Sequence, residues 1–169
     1  MINLYVYGDP VAQGRPRFTN KGGFPHVFDP KLSADWKKTI TQQVILEMKR
    51  QGLTHYEPGV PLVISTVFNL KSPQRLRKKL NTPHTTKPDA DNLLKPIVDA
   101  ILERTIKAAL IPVVCKDDNQ VVSMLVYKRY ALAPQLTGVN IAVLTLDEYI
   151  ATGILSVILS KLHKEVDND

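Results

Sequence analysis

The fifteen residues from Lys87 to Ile101, KPDADNLLKPIVDAI, constrain this chain more than any other stretch. Leu94, Ile97, Val98, Ile101 and Leu102 recur at the period of a helix with one buried face, so a helix is expected here. Two aspartates, Asp89 and Asp91, stand one residue apart at its mouth, and Lys95 follows one turn on. Alternate side chains of an extended backbone point the same way, so Asp89 and Asp91 can share one divalent cation if they precede the helix proper. Asp91 or Asn92 is the expected N-cap, and Pro96 implies a short or slightly open first turn, because proline deeper in a helix removes a hydrogen bond. The same residues also spell an ordinary capped helix start with an Asp91–Lys95 ion pair. A calcium loop of the EF-hand type is excluded, since its required glycine and glutamate would fall on Leu94 and Ala100.

The flanking pattern alternates strands with helices. Asn3–Tyr7 reads as a strand stopped by Gly8-Asp9-Pro10. In Gly14-Arg15-Pro16-Arg17-Phe18 two arginines flank a proline, as in a phosphate-contacting arm, and Gly22-Gly23 marks a loop or hairpin tip. A solvated loop with Phe18 in the core is the plainer alternative. Ser33 is the expected cap of a helix carrying Trp36, Ile40, Val44 and Met48. Val60–Leu70 reads as a buried strand, and a long basic connection with Arg75, Arg77, Lys78, Lys79 and Lys87 leads from it to Asp89. Beyond the central helix, Lys116-Asp117-Asp118-Asn119-Gln120 places a second acidic pair before a strand over Val121–Arg129. Val139–Leu144 should be a further strand, antiparallel to it across Pro134–Gly138, and Asp147–Leu162 a closing helix. These elements predict a single α+β domain over 1–169, a small mixed sheet with packed helices and a C-terminal helical addition over 147–169.

Charge narrows the partners. Residues 1–130 hold 20 Lys/Arg against 11 Asp/Glu, whereas 131–169 hold 2 against 5, so a basic body of +9 carries an acidic tail of −3. A basic body without a strongly amphipathic basic helix favours nucleic acid over membrane. The longest apolar runs fall short of the roughly 18 residues of a membrane helix, which predicts a soluble, cytoplasmic protein. One cysteine and four scattered histidines give no zinc spacing, so a metal would be held by oxygen.

The two acidic motifs, Lys87-Pro88-Asp89-Ala90-Asp91-Asn92-Leu93-Leu94-Lys95 and Lys116-Asp117-Asp118-Asn119-Gln120-Val121, resemble those of the RusA family of Holliday junction resolvases. Gly14-Arg15-Pro16-Arg17-Phe18 is similar to an early segment of many members, so the likeness spans most of residues 3–146. The resemblance implies a small homodimeric, Mg²⁺-dependent endonuclease of phage or prophage origin, with Mn²⁺ as a substitute, that cuts four-way junction DNA symmetrically. It assigns Asp89, Asp91 and Asp118 as catalytic metal ligands, Lys95 as the essential lysine and Asp117 as a weaker neighbour. Asp99 would orient Lys95. Arg15, Arg17, Arg75, Arg77, Lys78, Lys79 and Lys87 become candidate nucleic-acid contacts. The segment between Lys95 and Asp117 is longer than in the shortest members, and the helix after residue 146 departs from the pattern. A binding-only architectural protein and a phosphohydrolase of small substrates are the rival functions.

Overall fold

A computed structural model describes residues 1–15, 17–21, 24–28, 30–73, 82–102, 104–106, 109–111 and 113–153. The elements are β1 (Ile2–Tyr7), β2 (Arg17–Lys21), β3 (Phe24–Phe28), α1 (Lys31–Gln51), β4 (Leu62–Leu70), α2 (Ala90–Ile101), β5 (Arg104–Ile106), β6 (Ala109–Ile111), β7 (Val121–Tyr130), β8 (Gly138–Thr145) and α3 (Leu146–Ala151). β1, β8, β4 and β7 form a four-stranded sheet in that order, while β2–β3 and β5–β6 are separate two-stranded hairpins. β4 pairs with β7 in parallel and with β8 antiparallel, so the sheet is mixed and the fold is α+β. The parallel step from β4 to β7 requires a crossover, and α2 supplies its helix.

β4 stands at the centre because it is apolar on both faces. Leu62, Ile64 and Phe68 are fully buried with the α1 and α2 side chains, while Val63 packs on the opposite face with Leu144 of β8 and Tyr149 of α3. A hairpin of β7 with β8 was expected from the short connection between them. The two strands do run in opposite directions, but β4 lies between them. The half-exposed β7 suits an edge, whereas β4 needs cover on both sides.

α1 packs through Trp36, Ile40, Val44 and Met48, as the four-residue period requires. Its N-cap is Pro30 rather than Ser33, and Ser33 instead lies buried inside the first turn, where its hydroxyl meets Gln13 Oε1 at 3.2 Å. The helix stops at Gly52, whose φ of 65° is left-handed, and Leu53 N–H closes the end on the Met48 carbonyl at 2.9 Å. Lys37 crosses to Asp99 at 2.5 Å and Thr41 Oγ1 donates to the Ala100 carbonyl at 2.9 Å, which fixes α1 against α2. On the far face α3 starts at a capping box between Thr145 and Glu148, and the N-terminal ammonium pairs with Glu148 at 2.7 Å. α3 ends at Ala151, with Gly153 at φ 77°, so the expected helix is interrupted there, and its remainder lies outside the described residues. No helix among the described residues is long and apolar enough to cross a membrane.

Candidate active site

α2 starts two residues earlier than its sequence suggests. Asp89 is the N-cap, in an extended conformation, and Asp91 falls in the first turn. An ordinary capped start would spend the N-cap carboxylate on the first amides, yet Asp89 makes no side-chain cap hydrogen bond. Both carboxylates are exposed, and among the described residues no hydrogen bond or ion pair engages either. The Asp91–Lys95 pair does not form. Lys95 Nζ lies 3.9 Å from Asp99 Oδ1, while Asp99 itself is tied more closely to Lys37. Asp99 therefore serves the α1–α2 junction first.

Pro96 sits within α2 and is buried, with no N–H to offer the Asn92 carbonyl one turn back. The Gln13 N–H donates to that carbonyl at 2.7 Å instead. This bond and the Ser33 contact hold Gln13, so Arg15, exposed and two residues on, stands within about 7 Å of it along the chain. Gly14 has a steric reason to be glycine: a Cβ there would meet Pro30 Cγ at 2.7 Å. Beyond the arm the expected hairpin is present as β2 and β3, with Lys21 opposite Phe24. The backbone of Arg17 lies in β2. Gly22 and Gly23, like Arg75, Arg77, Lys78 and Lys79, lie outside the described residues.

On its other side the acidic pair is fixed by a lysine that sequence reasoning passed over. Lys128 of β7 extends Nζ to the carbonyls of Thr86 and Pro88, both at 2.7 Å, and its own carbonyl accepts from His84 N–H at 2.9 Å. These bonds hold the backbone directly before Asp89, including exposed Lys87 and its cis bond to Pro88. Lys128 could have been found by its strand alternation, which aligns it with Val126 and Tyr130 on the helix-facing side. Nothing in the sequence marks Gln13.

Asp118 lies elsewhere. It opens a 3-10 turn, Asp118–Gln120, and is exposed there. Gln120 Nε2 anchors that turn to the Glu57 carbonyl at 2.8 Å. Asp117 is the cap of the turn, accepting from Asn119 N–H at 3.0 Å; this bond, then one with the Asp118 side chain, holds its carboxyl below the usual range. Burial, then Asp117 and Asp118, push the neighbouring Cys115 thiol up to about 11, which keeps it protonated. The Ile101 carbonyl accepts from Val114 N–H at 2.8 Å, so the chain before Asp118 meets the C-terminal end of α2, whereas Asp89 and Asp91 are at its N-terminal end. The 12 residues of α2 span about 18 Å. β7, which begins beside Asp118, climbs about 23 Å before Lys128 reaches Pro88. The convergence of Asp118 with Asp89 and Asp91 inside one chain is therefore not found, and among the described residues no three His, Cys, Asp or Glu side chains could hold a metal ion together.

A mixed sheet crossed by a helix that opens on two unengaged carboxylates defines a small α+β domain with an acidic, basic-flanked site. The family model Endodeoxyribonuclease RusA matches residues 7–143. The chain belongs to the RusA endodeoxyribonuclease family, and membership supports a Holliday junction resolving endonuclease in general. It is also similar to "Uncharacterized protein YqaN" of Bacillus subtilis (strain 168), at 33% identity over 143 residues, 80% of this chain and 92% of that protein.

Proposed function

We propose that this protein resolves four-way DNA junctions as a homodimeric, divalent-metal-dependent endonuclease that makes paired, symmetric cuts. The observation that carries this is the exposed pair Asp89 and Asp91 at the mouth of α2, spent neither on capping nor on an ion pair among the described residues. Mg²⁺ is commonly held by one or two carboxylates together with substrate phosphate, so the donor set fits it, with Mn²⁺ as a substitute. When bound, such an ion neutralises charge on a phosphodiester and activates water. Asp89 and Asp91 would hold it. Lys95 stands one turn along α2 from Asp91 and faces negative charge developing on the phosphate or the leaving oxygen. Arg15, Arg17 and Lys87, with Arg75, Arg77, Lys78 and Lys79, grip the phosphates of the arms.

Asp118 enters this site from the second protomer. β7 is an edge strand, and among the described residues its outer edge is engaged only at Lys128–Tyr130, by residues 82–84. Among the described residues Val121–Tyr127 has no partner on that edge, and it carries exposed Val122, Met124 and Tyr127. A long, apolar, open edge is a template for a second strand. Antiparallel pairing of two such edges about a two-fold axis near Met124 sets Val121 opposite Tyr127. It carries each Asp118 to the partner's Lys128 end, where Pro88 and Asp89 are held. The dimer then has two sites related by the symmetry of a four-way junction. Strand cleavage of a labelled synthetic junction, with and without Mg²⁺, tests the activity: Mg²⁺-dependent paired cuts support it. Binding without cleavage in either Mg²⁺ or Mn²⁺ would favour the architectural role.

A further inference from the structure

Three polar side chains interrupt the buried face of α1 at four-residue spacing: Ser33, Lys37 and Thr41. Ser33 meets Gln13 and Thr41 donates to the Ala100 carbonyl, so these two fasten α1 to the arm and to α2. Lys37 stands between them with a side chain only 8% exposed, and its Nζ lies 2.5 Å from Asp99 Oδ2. A buried ion pair adds little over apolar packing of the same shape, so the α1–α2 seam alone is a weak reason for a lysine there.

The other oxygen of the same carboxylate supplies a second reason. Asp91, Lys95 and Asp99 follow one another at four-residue spacing, which sets them along one face of α2. Lys95 thus has a carboxylate one turn before it and another one turn after it, yet neither holds it closely. Asp99 Oδ1 is 3.9 Å from its Nζ, beyond hydrogen-bond distance, and the Lys95 side chain is 62% exposed. A lysine that precedes its acid by one turn is also the weaker order of such a pair. Lys37 approaches Asp99 from the buried side and offsets its charge. Without that ammonium, the Asp99 carboxylate would stand one turn from Lys95 with its charge uncompensated, placed both to hold the lysine back and to repel a phosphate.

We propose that Lys37 is a positioning residue for cleavage: by neutralising Asp99 it keeps the Lys95 ammonium available to the scissile phosphate. The proposal rests on the endonuclease function, in which Lys95 faces the negative charge that develops there.

Lys37→Met keeps the apolar stem and removes the charge. Its single-turnover cleavage rate at saturating junction should fall about fivefold, the upper range for an exposed ion pair, while junction affinity in Ca²⁺ changes by less than about twofold. The double variant of Lys37→Met with Asp99→Asn lacks the same link between helices, so a merely structural role would leave it as slow as the single variant. The proposal instead has it regain most of the native rate. Thermal melts establish that both fold, and Lys37→Gln, which can still donate to Asp99 without a charge, repeats the comparison if Lys37→Met melts too low to assay. A readout independent of activity is the Lys95 ammonium nitrogen resonance of isotope-labelled protein, assigned by its loss in Lys95→Gln. It should move in Lys37→Met and return in the double variant. A double variant as slow as Lys37→Met, or a resonance that stays in place in Lys37→Met, overturns the proposal, while native junction cleavage leaves the nuclease function intact. A resonance that moves and returns in a protein that never cuts overturns the nuclease function and keeps the hold of Lys37 on Asp99.

Discussion

The backbone N–H of Gln13 donates to the carbonyl of Asn92 at 2.7 Å, taking the acceptor that Pro96 cannot serve. A proline that looks like a defect in α2 thus docks the arginine-bearing arm beside the acidic pair. The arm and the carboxylates are one assembly, and disturbing either should be felt at the other.

Gly14→Ala tests that link. The added Cβ would sit 2.7 Å from Pro30 Cγ, so the arm must shift. Thermal denaturation should show a loss of about 1–2 kcal/mol, in the range of overpacking, and gel shift should show weaker junction binding. Unaltered stability and binding would mean that the arm is not held as described.

Lys128→Met removes the charged donor to the Thr86 and Pro88 carbonyls while keeping most of the side-chain volume. Stability should fall by about 2 kcal/mol, as expected for hydrogen bonds to a charged group. Cleavage should fall about 10- to 100-fold, because a small misplacement of catalytic groups is costly. Chemical denaturation and single-turnover cleavage measure the two effects separately.

Asp91→Asn and the basic loop should fail differently. The first removes a ligand and a negative charge, so cleavage should vanish while junction binding stays equal or tightens. Neutralising Arg75, Arg77, Lys78 and Lys79 together should weaken binding and flatten its salt dependence, by about 0.9 in log–log slope for each phosphate that is no longer neutralised. Gel shifts in Ca²⁺ across a salt series, beside cleavage in Mg²⁺, distinguish them.

The folded pKa of His84 lies below its usual 6.5, owing to burial and then to Lys128, so the unfolded chain binds the proton more readily. Its contribution is fully present above pH 6.5 and is lost as pH falls through the folded value. Melting temperature should therefore decline on acidification below that pH, and His84→Asn should flatten the decline. A dependence unchanged in the variant would assign it to other groups.

The sequence made local patterns legible and left long-range ones obscure. The alternation of β1, the apolar run of β4 and the four-residue period of α1 each report burial of nearby side chains; β1 and β4 lie within two residues of their expected bounds, while α1 is capped three residues before Ser33. The place of β4 between β7 and β8 depends on a parallel pairing across more than fifty residues, which no local signal encodes. Caps were misjudged for a related reason. Ser33 and Asp91 have good capping side chains, but Ser33 is drawn to Gln13, and α2 begins at Asp89 with its carboxylate unspent. The acidic motifs were plain in the sequence, yet it could not show that α2 and β7 set Asp118 at the opposite end from the other two aspartates.

That separation makes a mixed-protomer experiment the most direct measurement. Asp91→Asn and Asp118→Asn proteins, each inactive alone, are mixed, allowed to exchange subunits and assayed on a labelled four-way junction in Mg²⁺. A site shared between protomers leaves one intact site in every mixed dimer, so random exchange should restore about a quarter of the native number of sites, seen as nicking of one strand. A mixture as inactive as its components, while native protein cuts and sedimentation shows the exchanged dimer, would contradict the account and return all three carboxylates to one chain.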